Sequence, residues 1–336
     1  MKRLLIWISL LVLLVVGFAV WRIALAEVSP FKGYEGAEQF VDIPEGSGPT
    51  SIGRRLADAG IIRDRLGFRF EILRSGLGRR LQAGEYRFDR PMTVNEVVDK
   101  IARGDVYLVP ITFREGLTVR EMAQLFESKG LGPAKEFSAR ASDAQLIRTL
   151  DPAAKDLEGY LFPDTYAMTR HTDAAQLIPR MVAGFEKALT PEILSAADAR
   201  GLTVRQLVTL ASIVEKETGN PDERPLVAAV YSNRLKIGMA LQCDPTVIYA
   251  LQRANKYDGN LTRDNMQIDS PYNTYRYPGL PPGPIANPGR ASLEAAARPA
   301  DVPYLYFVAR GDGSHAFAST LEEHNRNVDQ YQRHRR

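Results

Sequence analysis

Two glutamates, Glu215 and Glu217, close the stretch Leu207-Val-Thr-Leu-Ala-Ser-Ile-Val-Glu-Lys-Glu-Thr-Gly219. A glutamate partly buried among apolar residues at a helix C-terminus has its pKa raised towards neutrality, which is what a general acid needs. The other catalytic sets find no support. The four histidines, His171, His315, His324 and His334, have no metal-ligand spacing. No Gly-x-Ser-x-Gly elbow marks a serine hydrolase, and Gly46-Ser-Gly48 with Gly53 fits neither a P-loop nor a dinucleotide fingerprint. A single cysteine, Cys243, excludes an intramolecular disulfide and Cys-x-x-Cys chemistry. No metal and no cofactor is expected. Carboxylate acid/base chemistry remains.

The elements around the pair decide whether it is a site or a frayed, solvated helix end. Thr203-Val-Arg-Gln206 has the capping-box pattern, and Gly219 followed by Pro221 predicts a left-handed cap and a stop. Acids in the last turn oppose the helix dipole and cost stability unless compensated. Asn220-Pro221-Asp222-Glu223 restarts a helix at once, running to about Lys236, so the carboxylates sit at a tight corner rather than a loose end. At about 100° per residue the two glutamates point some 200° apart. The wheel does not choose between them. Leu157-Glu-Gly-Tyr-Leu-Phe-Pro-Asp-Thr-Tyr166 reads either as a core strand and turn or as a cleft wall, since aromatic faces beside carboxylates suit sugar rings. Gly279-Leu-Pro-Pro-Gly-Pro-Ile-Ala-Asn-Pro-Gly289 predicts a rigid extended loop rimming a groove. A core strand Tyr304–Val308 and a closing helix from about Leu321, carrying Glu323, His324 and Asn325, complete this part.

The N-terminal half supplies location. After Lys2 and Arg3, the mostly apolar run Leu4–Trp21 reaches the lower limit for a spanning helix, and the leading positive charge places the N-terminus in the cytoplasm. Ala24-Leu-Ala26 offers a signal-peptide cleavage form, but the run is longer than a usual signal core and Arg22 lies close before it. The expected organisation is a cytoplasmic N-terminus and transmembrane anchor over residues 1–26, a linker over 27–37, an α+β region over 38–150 and a catalytic domain of helices around short strands over 151–336. In the 38–150 region, strand, Glu-Gly turn, helix and glycine occur in that order from Ile43 to Gly60 and again from Leu108 to Gly130, suggesting a duplicated unit. The unit is similar to the LysM-like modules that bind cell-wall glycans; a spacer is the structural alternative. A net charge of +3 over 336 residues gives no argument for nucleic acid.

Glu158-Gly-Tyr-Leu-Phe-Pro-Asp164, Ala211-Ser-Ile-Val-Glu-Lys-Glu217, Asn233-Arg-Leu235, Leu241-Gln-Cys-Asp-Pro-Thr246, Tyr272-Asn-Thr-Tyr275, Gly279-Leu-Pro-Pro-Gly-Pro-Ile285 and Glu323-His-Asn325 together resemble the endolytic murein transglycosylases, the MltG/YceG-like family. The resemblance covers roughly residues 155–331, and the anchor and LysM-like region agree with that family's layout. It implies cleavage of peptidoglycan strands between N-acetylmuramic acid and N-acetylglucosamine, on the periplasmic side of the cell inner membrane, leaving 1,6-anhydro ends. The muramic 6-hydroxyl is then the nucleophile, so one glutamate serves as acid and then base, where hydrolases need two carboxylates. The family motif assigns that role to Glu217. Glu158, Asn233, Gln242, Asp244, Tyr272, Asn273 and Thr274 are candidates for the substrate groove, with buried hydrogen-bonding roles as the alternative. Association with peptidoglycan synthases is a family-level expectation. A non-catalytic wall-binding scaffold and a hydrolytic muramidase are the rival readings.

Overall fold

The computed structural model describes residues 29–170 and 172–333, with Trp7, Leu11, residues 13–15 and Gly17 besides. Most of the apolar run expected to be an anchor lies outside the described residues, as do Ala26, His171 and His334. Among the described residues no helix is long and apolar enough to cross a membrane. The protein is α+β, with strands paired two by two among many helices. It forms two compact units: one runs to Val109 and takes in Ala167–Arg170, and the other consists of Pro110–Tyr166 and the chain after Arg170.

In the first unit β1 (Gln39–Ile43) pairs antiparallel with β2 (Gly84–Phe88), Val41 opposite Tyr86. The helices α1 (Pro49–Asp58) and α2 (Arg65–Ser75) lie between these strands in sequence, and α3 (Val94–Arg103) follows. Alternation along β1 turns Val41 and Ile43 inward, where they join Leu56 of α1, Phe68 of α2 and Ile101 of α3 in one apolar cluster. Asp64 caps α2 by accepting the N–H groups of Leu66 and Gly67, and a Thr93–Glu96 capping box opens α3. Glu85, buried on β2, accepts two hydrogen bonds from Arg170 at 2.6 and 3.0 Å, and that guanidinium lies 3.5 Å over the Phe40 ring.

Next come β3 (Val109–Thr112), α4 (Val119–Ser128), α5 (Ala134–Ala141) and β4 (Thr165–Met168), with β3 beside β4. The order Glu-Gly turn, helix, glycine recurs in matched backbone: Gly46 and Gly116 have φ of 76° and 77°, Gly60 and Gly130 of 70° and 71°. The helices α6 (Ala174–Ala188), α7 (Pro191–Asp198), α8 (Val204–Glu217), α9 (Arg224–Lys236), α10 (Asp244–Arg253) and α11 (Arg290–Ala297) follow. The chain ends in an antiparallel hairpin, β5 (Tyr306–Ala309) with β6 (His315–Ala318), and α12 (Leu321–Val328). α8 is the central helix of the second unit. Every residue from Leu207 to Val214 is buried, because α7, α9, α10 and α11 all contact it.

Four local expectations need correction. Gly219 is not a left-handed cap. α8 ends instead at Thr218, extended at φ −137°, whose hydroxyl donates to Glu223 at 3.3 Å and accepts the Asn220 N–H at 3.0 Å. That side-chain bridge, with Asn220 capping the next turn, fixes the corner without glycine. Lys135–Leu150, which the sequence alone suggests is one helical segment, breaks into α5 and a 3-10 turn, Ala144–Ile147. Leu157–Pro163 is a buried loop, not a strand, because Asn287 Oδ1 accepts the N–H groups of Gly159 and Leu161 where a neighbouring strand would have done so. Finally, Pro281–Gly289 is mostly buried rather than a rim. It threads past α8, where the Ile285 N–H donates to Ser212 Oγ at 3.0 Å, and Pro284 leaves no room for a Cβ on Gly159, itself at φ 88°.

Candidate active site

α8 delivers Glu217, and the corner after it brings α9 back so that Tyr231 Oη donates to the Glu217 carboxylate at 2.6 Å. The Cys243 thiol, from the turn before α10, makes a second hydrogen bond to the same group. Burial pushes the Glu217 carboxyl above the usual carboxylate range, with Asp244 adding to it, while the bonds from Tyr231 and Cys243 pull back only in part. Burial also holds the Tyr231 phenol and the Cys243 thiol well up, so both remain protonated donors. A glutamate that keeps its proton and is gripped by two donors can protonate a leaving oxygen and later take a proton back.

Glu217 opens onto a cavity of about 300 Å³. Of the expected groove residues, Gln242 and Asp244 line it with Glu217. Gln242 lies in the left-handed region at φ 51°, and its N–H donates to the Thr274 carbonyl. A non-glycine residue held there carries strain of the kind that gathers at functional sites. Asp244 accepts from Tyr275 Oη at 2.5 Å. Thr274 and Asn273 are buried behind this wall and shape it: Thr274 Oγ1 accepts the Cys243 N–H and meets Thr246 Oγ1 at 2.9 Å, while Asn273 Nδ2 donates to the carbonyls of Met266 and Ile268.

The remaining candidates lie elsewhere. Asn233 Nδ2 donates to the carbonyls of Val302 and Tyr304, tying α9 to the approach of β5. Tyr272 packs at a tilt against Tyr249, ring centroids 5.0 Å apart, and, with Glu158 and Arg253, lines a separate cavity of about 420 Å³. Glu158 is a buried stitch. It accepts from the Val119 N–H at 3.0 Å and from Asn287 Nδ2 at 3.2 Å, and pairs with Tyr249 Oη at 3.2 Å. Burial pushes its carboxyl up to about 8 against those bonds. Glu215 points away from the Glu217 cavity, accepting the Gly289 N–H at 3.0 Å and pairing with Arg224 at 3.3 Å.

Five cavity residues are not among the expected site residues: Tyr231, Arg234, Tyr275, Phe307 and His324. Tyr231 and Arg234 share one face of α9 at i, i+3 spacing, and Asn233 faces elsewhere. Arg234 donates to the Leu241 carbonyl at 2.7 Å and to the Leu305 carbonyl at 2.7 Å, joining both walls. Phe307 packs edge-on against Tyr231 at 5.9 Å, and His324 stacks on Tyr306 at 5.2 Å.

The YceG-like family model matches residues 41–330. The chain belongs to the YceG-like family. It is 33% identical over 306 residues to an endolytic murein transglycosylase of Bacillus subtilis, covering 87% of this chain and 84% of that protein. With the endolytic murein transglycosylase of Streptococcus pneumoniae serotype 2 it shares 32% identity over 345 residues, covering 94% of this chain and 62% of the relative. A crystal structure of a YceG-like protein from Listeria monocytogenes superposes with a TM-score of 0.59 at 32% identity, over 86% of this chain and 98% of that one.

Proposed function

We propose that this YceG-like protein is an endolytic lytic transglycosylase that cuts peptidoglycan strands with Glu217 as its single acid/base. The observation that carries the proposal is a raised, cavity-facing Glu217 carboxyl gripped by Tyr231 and Cys243, in a chain whose relatives are named endolytic murein transglycosylases. Protonated Glu217 gives its proton to the glycosidic oxygen as the bond from muramic C1 breaks. The muramic 6-hydroxyl then bonds to C1 and returns its proton to the Glu217 carboxylate. The enzyme regains its starting form, no water is consumed, and a 1,6-anhydro end results. Gln242 and Asp244 offer the amide and carboxylate that hold sugar hydroxyls in the cavity.

In this reading residues 4–21 anchor the protein as a single-pass span of the inner membrane, with both units on the periplasmic side. The first unit serves as a LysM-like module that holds glycan, and the cuts terminate nascent strands beside peptidoglycan synthases. Purified sacculi digested with the protein and analysed by mass spectrometry test the chemistry. Anhydro-muropeptides are expected from the wild type and none from a folded Glu217→Gln. Reducing ends would make it a muramidase, and no products at all would make it a scaffold.

A further inference from the structure

Helix α2 of the first unit is apolar on two faces. Phe68 and Ile72 enter the core, yet Leu66, Phe70 and Leu73 remain 77%, 51% and 75% exposed. At 100° per residue these three fall within about 60° of one another, a continuous stripe along the outer face. A soluble helix pays for such a stripe in exposed apolar area, so its regular spacing marks a docking surface.

The charges around it identify the occupant. Arg65 and Arg69 flank one edge of the stripe and Arg74 the other. From Ile61 to Gln82 six arginines stand against two acids. Both acids are engaged, Asp64 as the N-cap and Glu71 in two hydrogen bonds from Arg74 at 2.7 and 2.8 Å. Among the described residues, neither Arg65 nor Arg69 makes an ion pair. An apolar strip bordered by cations is the layout of a helix lying in the headgroup region of an anionic bilayer, its stem carbons snorkelling beside the acyl chains.

The chain's path agrees. Phe31 pairs with Met92 at 2.9 Å, and Arg63, just before α2, lies 4.8 Å over the Phe31 ring. Only nine residues separate Trp21 from Phe31, ten steps along the chain with a reach of about 35 Å at full extension. With residues 4–21 in a membrane, the start of α2 cannot stray far from its surface.

We infer that α2 docks in the surface of an anionic phospholipid membrane through Leu66, Phe70 and Leu73, with Arg65 and Arg69 on the headgroups. The inference rests on the anchor proposed above, and its test separates the two. Full-length protein carrying a fluorophore at Leu73→Cys is labelled selectively, the native Cys243 being buried. It is mixed with vesicles of neutral phosphatidylcholine or with added phosphatidylglycerol, each holding lipids with a quencher on the acyl chain. Flotation with both vesicle types reads the anchor. Loss of most emission at position 73 on anionic vesicles, and little on neutral ones, reads the docking. A label at exposed Asn95 of α3 should keep its emission. Each of Arg65→Gln and Arg69→Gln should weaken the docked state about fivefold, and Leu66→Ser with Phe70→Ser should abolish the quenching while flotation persists. Unquenched emission at position 73 on anionic vesicles overturns the docking whether or not the protein floats. A blue shift without lipid quenching, accompanied by self-association, would assign the stripe to a second copy and overturn it equally.

Discussion

At the scale of single residues, the two acids of Glu-Lys-Glu are separated by partners that no helical wheel contains. Glu217 has a cavity and two neutral donors, whereas Glu215 has Arg224 and a backbone N–H. Glu215→Gln should therefore keep the product chemistry and lower stability by about 2 kcal/mol. That is less than a lone broken buried pair costs, because Glu115 still faces Arg224 at 3.4 Å. Thermal unfolding and muropeptide analysis of the same preparation check both halves. Tyr231→Phe removes a hydrogen bond that favours the ionised Glu217, so the acid's pKa rises further. Because the acid must be protonated, the alkaline limb of the pH–rate profile should move up by about one unit, a shift that a merely structural loss would not produce. Of the residues that build this cavity, Glu217, Gln242 and Asp244 could be named singly from the sequence. Arg234, Tyr275 and His324 lie inside motifs that carry the family resemblance, but nothing local singles them out. Which neighbour faces the cavity is set by backbone geometry, as the left-handed turn at Gln242 makes plain.

At the scale of elements, helices with side-chain caps were readable because their signals are local. Asp64 before α2, and the capping-box patterns Thr93–Glu96, Thr118–Glu121 and Thr203–Gln206 that open α3, α4 and α8 in the sequence, all cap the helices they precede. Long-range stitching was not readable. The loop Leu157–Pro163 read either as a core strand and turn or as a cleft wall, and the strap Pro281–Gly289 as a rim, yet the two are packed against each other in the interior. Asn287 is what permits this. Its side chain accepts from Gly159 and Leu161 and donates to the Leu117 carbonyl and to Glu158. Asn287→Ala should cost at least about 3 kcal/mol, since two buried N–H groups lose their acceptor, and chemical denaturation would measure it. Asn287→Asp should be poorly tolerated too, because a carboxylate cannot supply the two donated bonds.

At the scale of the whole molecule, Glu158 links stability to pH. Its carboxyl is held at about 8 in the fold, above its ordinary value of 4.5. A raised folded pKa means that the protein favours the protonated form. This contribution is complete below about pH 4.5 and is lost as pH climbs through about 8. Glu158→Gln, a neutral mimic of the protonated acid, should flatten that slope and make the variant the more stable of the two at pH 8, as denaturation midpoints at pH 5 and pH 8 would reveal. The α+β character and the family were legible from the sequence. The two compact units were not, because the first borrows Ala167–Arg170 from far along the chain. That loan sets a timetable. A chain made from its N-terminus exposes β2 long before Arg170 exists, so the Arg170–Glu85 pair closes only after 85 further residues have been added. The small N-terminal unit, for all its short-range helices and caps, therefore cannot finish folding ahead of its larger neighbour's opening segments; synthesis order and completion order differ.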